Sequence, residues 1–101
     1  MKRGTTPTHI FGIPFEAELV DKIRVSYAQG SAIVLEKTEA DCTIESGAIR
    51  CKLTQEETLG FDHTAAVDIQ VKVLTVSGDV LASDPVRVSV GKILNEEVLV
   101  R

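Results

Sequence analysis

The sequence predicts an all-β protein, an immunoglobulin-like antiparallel β-sandwich of about seven strands with one short helical turn. Three observations lead there. In residues 67–90, VDIQVKVLTVSGDVLASDPVRVSV, Val67, Ile69, Val71 and Val73 alternate with Asp68, Gln70 and Lys72, the period of two that a half-buried strand requires. Turn residues punctuate the chain at Gly30, Ser46-Gly47 and Ser77-Gly78-Asp79. Finally, hydrophobic residues make up 44% of the 101, yet there is no Trp, one Tyr and three Phe. The core must therefore be aliphatic and rich in β-branched side chains, which favours sheets.

Taken in order, residues 1–8 are expected to be a flexible lead and residues 9–101 a single β-sandwich domain. Residues 9–15 (HIFGIPF) suit a short edge strand whose pairing Gly12 and Pro14 limit. Residues 19–28 place Ile23, Val25 and Tyr27 on one face. Residues 32–37 follow, with Ile33 and Leu35 matching that face if the loop is Gln29-Gly30-Ser31; this pairs Val25 with Leu35 and Tyr27 with Ile33. A two-residue turn at Ser46-Gly47 pairs Ile44 with Ile49 and Cys42 with Cys51, and sets Asp41 opposite Lys52. A one-residue slip would bury the charges of that hairpin, so its register is well specified. Thr54 and Glu57 match a capping box opening one helical turn, anchored by Leu59 and Phe61. The strand pair at 67–90 comes next, with Pro85 tolerable at a strand start. Residues 93–100 suit a last strand packed on its own domain, with a terminal helical turn or a docking tail as alternatives.

The charge and motif content exclude several functions. A net charge of −4 does not suit nucleic acid, because phosphate contacts need clustered Lys and Arg. No apolar run approaches the roughly 20 residues that span a bilayer, and the polar residues 4–9 leave no apolar core for a signal peptide. Synthesis and first residence in the cytoplasm are expected, with a virion as a later location. No nucleophile elbow, phosphate loop or spaced acidic calcium loop is present. Asp62-His63-Thr64 reads as a solvated loop, and His9 and His63 lack metal-ligand spacing. An enzyme is not expected, nor a cofactor. Cys42 and Cys51, directly opposed, are either a disulfide or a pair of buried thiols; without a leader, reduced thiols are the expected state. Val98, Leu99 and Val100 lack the charges that usually guard an edge, and are candidate partner-docking residues.

Three stretches, RGTTPTHIFGIPF, DCTIESGAIRCKLTQEETLGF and VDIQVKVLTVSGDVLASDPVRVSV, resemble small phage and prophage proteins of Gram-positive bacteria. They are distantly similar to the N-terminal β-sandwich domain of phage baseplate upper proteins. The corresponding elements are Leu53-Thr54, the acidic turn at residues 55–58, the strand at 69–73 and Ser77-Gly78-Asp79. The resemblance implies a non-enzymatic structural or accessory component of a tail or baseplate. Such a component would act through protein–protein contacts with other phage structural proteins or with itself, and the family brings no catalytic residues. The alternative is a stand-alone immunoglobulin-like module binding a carbohydrate or peptide.

Overall fold

The computed structural model covers residues 1–101 and is a β-sandwich of eight strands. The smaller layer contains β1 (Thr8–Gly12), β4 (Cys42–Glu45) and β5 (Ala48–Lys52), in the order β1-β5-β4. The larger contains β2 (Val20–Gln29), β3 (Ala32–Thr38), β6 (Val67–Thr75), β7 (Val80–Ala82) and β8 (Val86–Val88). Its order is β3-β2-β6-β7, and β8 lies in line with β7 along the same side of β6. All of these pairings are antiparallel. One helix, α1 (Gln55–Leu59), links the layers. No helix is long and apolar enough to cross a membrane.

The core is aliphatic, as the composition requires. Ile23, Val25 and Tyr27 of β2 and Val67, Ile69, Val71 and Val73 of β6 meet Ile49, Cys51 and Leu53 from the smaller layer. The β4–β5 hairpin has the expected register, with Glu45 opposite Ala48, Ile44 opposite Ile49 and Cys42 opposite Cys51. Gly47 supplies the positive φ (+82°) that its two-residue turn needs. The capping box is also present: the Thr54 hydroxyl accepts from the Glu57 N–H, and the Glu57 carboxylate accepts from the Thr54 N–H.

Two register expectations are corrected. The β2–β3 turn is Gly30-Ser31, with Gly30 at φ +63°, as the first position of a II′ turn prefers. Tyr27 then faces Leu35 and Ala28 faces Ile33, leaving Val34 as an extra residue. That bulge switches strand parity. Ile33 turns to solvent, while Lys37, opposite Val25, turns inward and is buried. Its stem lies along the core margin and its ammonium pairs with Glu57. Nor does Asp41 face Lys52. It ends a 3-10 turn, where its carboxylate accepts from the N–H and hydroxyl of Thr38.

A second bulge shapes the other side of the large sheet. Val73 pairs with Leu81, but Ile69 pairs with Val86, so the partner strand carries one residue more than β6 across Ser83-Asp84-Pro85. The parity switch turns Val86 and Val88 inward. Arg87 then points outward, where its guanidinium grips Asp68 through two hydrogen bonds of 3.0 and 3.2 Å.

Residues 1–8, expected to be a flexible lead, are tied in at several points. Met1 and Arg3 exchange backbone hydrogen bonds with Gly91, forming a parallel bridge. Thr5 and Thr58 bond reciprocally, and the Leu53 N–H donates to Pro7 O. Residues 93–100 form neither a last strand nor a helical turn. They run outside the sheets, held by Arg3 on Glu96 and by the Gln55 amide, which exchanges two 2.9 Å hydrogen bonds with the Leu99 backbone.

Candidate functional site: an apolar groove along an unguarded edge

The two layers are unequal. Three strands on one side lie against four columns on the other, because β7 and β8 share one column. Where the smaller layer runs out, an open groove of about 430 Å³ remains between β1 with residues 13–15 and the β6–β7–β8 side. Its floor is Ile69, Val71 and Val73. One wall is Phe11, Ile13 and Phe15, and the other is Leu81 and Val86. No charged side chain lines it. A shallower extension continues past Ile10 and His9 to Thr8 and Val88.

The groove follows directly from the local sequence. The bulge at Ser83-Asp84-Pro85 turns Val86 inward beside Leu81, but no fourth strand of the small sheet covers them. They remain 55% and 46% exposed, although their strand parity is that of core residues. The molecule is correspondingly thin, 46 × 34 × 16 Å with a radius of gyration of 14.3 Å, against about 13 Å for a compact chain of this length.

Beside the groove lies a free sheet edge. The Leu53 N–H donates to Pro7 O and the Ile13 N–H to Gly47 O, which fixes the antiparallel parity of β1 on β5. The backbone groups of Thr8, Ile10 and Gly12 consequently face away from β5. Sheet edges are usually blunted by charge, proline or a bulge. The β7–β8 edge has Asp84, Pro85 and a bulge, β3 has Glu36 and a bulge, and β4 has Glu45. Within β1 the sequence is THIFG, without an Asp, Glu, Lys, Arg or Pro. Its one titratable side chain, His9, is directed to the core. The sequence reading identified β1 as an edge but not the groove, which depends on the mismatch in strand number between layers.

Beneath β1 runs a short polar chain. The Tyr27 hydroxyl shares a 2.8 Å hydrogen bond with His9 Nδ1 and donates to Cys51 Sγ at 3.6 Å. Burial holds His9 below its ordinary pKa, so the neutral imidazole sits here. Burial, and then the Cys51 contact, push the Tyr27 hydroxyl upward. Burial, and then the neighbouring Cys51, raise the Cys42 thiol to about 12. Both cysteines are free thiols, Cys42 half-buried and Cys51 buried. A thiol held protonated is a poor nucleophile and a poor metal ligand, which leaves Cys42 unsuited to either role.

The remaining candidates are dispersed. His63 is exposed in a loop where the Asp62 carboxylate accepts from the Thr64 N–H and hydroxyl. No three His, Cys, Asp or Glu side chains form a group that could hold a metal ion. Val98, Leu99 and Val100 lie beside α1 rather than at the groove, with Leu99 and Val100 69% and 91% exposed. Comparisons with protein-family models, curated proteins and solved structures find no match to this chain.

Proposed function

We propose that this protein is a non-enzymatic assembly component, acting by protein–protein contact, that receives an extended apolar segment of another polypeptide as an added strand along β1. The observation that carries this reading is the coincidence of the unguarded β1 edge with a groove whose lining is free of charge. The edge offers the backbone groups of Thr8, Ile10 and Gly12. The groove offers an apolar floor for every second side chain of the incoming strand. The setting we assign is a phage or prophage particle, as an accessory component of its tail or baseplate; the resemblance of the sequence to the baseplate upper domain supports it. A peptide-binding module would use the same groove. A carbohydrate reader is less well supported, because Tyr27 and Phe61 are buried and the half-buried Phe11 and Phe15 line an apolar groove with no charged or amide side chain to meet sugar hydroxyls.

Titration calorimetry with a designed heptapeptide of alternating valine and threonine tests the reading. Saturable binding with a negative heat-capacity change, weakened at least roughly tenfold by Leu81→Arg, is the expected result. Leu81 is half exposed, so the variant should keep its melting temperature. Absent binding, or equal binding to the variant, would overturn the proposal.

A further inference from the structure

Resting on the strand-addition reading, we propose that the strand seated in the groove is residues 97–101 of a second copy of this chain. The groove admits no charged side chain on its inner side, which restricts the occupant to a segment with consecutive or alternating aliphatics. Val98, Leu99 and Val100 are such a run, and they lie outside every strand of the fold. Two of them, Leu99 and Val100, are mostly exposed. The other large exposed hydrophobics are mainly on paired strands, as with Ile10, Ile33, Val80 and Val86. A strand through residues 97–101 puts Val98 and Val100 on one face, to lie over Val71 and Val73.

The lengths agree as well. β1 spans five residues, about 17 Å at 3.3 Å per residue, and residues 97–101 span the same. In the single chain this segment is held by a side chain rather than by a ladder. The Gln55 amide donates to Leu99 O and accepts from Leu99 N–H, imitating a strand partner through two exposed hydrogen bonds. Such a clasp occupies the backbone groups of Leu99 with a side chain that the N–H and C=O groups of β1 can replace. The Arg3–Glu96 pair lies before the exchanging residues and can persist in both states.

A mixing experiment decides it. Leu81→Arg leaves the segment but spoils the groove, and a chain ended after Glu96 leaves the groove but lacks the segment. The unaltered protein should self-associate with rising concentration in light scattering, and each altered chain alone should stay monomeric. An equimolar mixture of the two should form a heterodimer, a rescue that misfolded chains cannot give. Gln55→Ala should tighten self-association by roughly fivefold, the worth of about one net hydrogen bond. A monomeric unaltered protein at every concentration, or a mixture that does not associate, would overturn the assignment. If the valine–threonine peptide still binds in that case, the strand-addition reading stands and only the self-partner fails; if it does not bind, both fail.

Discussion

Ser83 completes the hydrogen bonding of Val71 with its side chain instead of its carbonyl. Its N–H donates to Val71 O at 2.9 Å, while Val71 N–H donates to Ser83 Oγ at 3.0 Å. The Ser83 carbonyl, displaced by the bulge, accepts from Gln70 Nε2 at 2.8 Å. The large sheet is thereby kept continuous at the point where the chain gains its extra residue. The same point determines that Val86 faces the groove.

Ser83→Ala should therefore leave the Val71 N–H without a partner. A part-buried donor left unpaired costs about 1–3 kcal/mol, so the melting temperature should fall by roughly 5–15 °C. Amide exchange should accelerate selectively at Val71, with the β4–β5 hairpin unchanged.

The region around this bulge also marks how far the sequence could be read. The β4–β5 register was legible because Ser46-Gly47 and the alternation of Ile44, Cys42, Ile49 and Cys51 point to one pairing. The apolar face of β6 was legible for the same reason, four valines and isoleucines at a strict period of two. Bulges were not legible. One extra residue at Val34 turned Ile33 away from the face it was expected to share with Leu35, and one at Ser83-Asp84-Pro85 put Val86 rather than Arg87 on the face of Leu81. Neither leaves a local signature stronger than the alternation it interrupts. Asp41 was misplaced because its carboxylate satisfies Thr38 locally, which a cross-strand charge rule does not anticipate. The groove is a property of two layers of unequal width, and such a property lies in no single segment.

His9 should impose a pH dependence on stability. Burial lowers its pKa in the folded state from the ordinary 6.5, so between the folded value and 6.5 the unfolded chain binds more protons. Stability is then fully present above pH 6.5 and is lost as pH falls toward the folded value. Thermal melts should show a declining midpoint on acidification from neutrality, before the carboxylates begin to titrate. His9→Asn should flatten that slope while leaving the steeper fall at lower pH, where Asp41, Glu57 and Asp68 are protonated.

The Lys37–Glu57 pair ties β3 to α1. Burial alone would raise the Glu57 carboxyl, but hydrogen bonds from Lys37 and from the Thr54 N–H outweigh it and hold the pKa below the usual value. Glu57→Gln removes the charge facing a buried ammonium and should cost about 2–3 kcal/mol in chemical denaturation. Pairing it with Lys37→Met should recover most of that loss, because the residual penalty is the unpaired ammonium. A double variant no more stable than Glu57→Gln alone would contradict this origin.

The thiols should be inert in the folded protein. With Cys42 raised to about 12 and Cys51 buried, iodoacetamide at pH 8 should leave both unmodified over a period in which the denatured chain is alkylated twice. Rapid native labelling of Cys42 would show that the hairpin opens or that its thiolate is stabilised.

The most direct measurement is amide exchange at Ile10 and Gly12, followed by NMR in the chain ended after Glu96, which cannot fill its own groove, alone and with the valine–threonine heptapeptide. The β1 edge being free in that chain, both amides should exchange quickly without peptide, while Phe11 and Ile13, bonded on the β5 side, are protected. Adding the peptide should protect Ile10 and Gly12 together. Protection of these amides in the shortened chain without peptide, or exchange unchanged at saturating peptide, would contradict an open edge that receives an added strand.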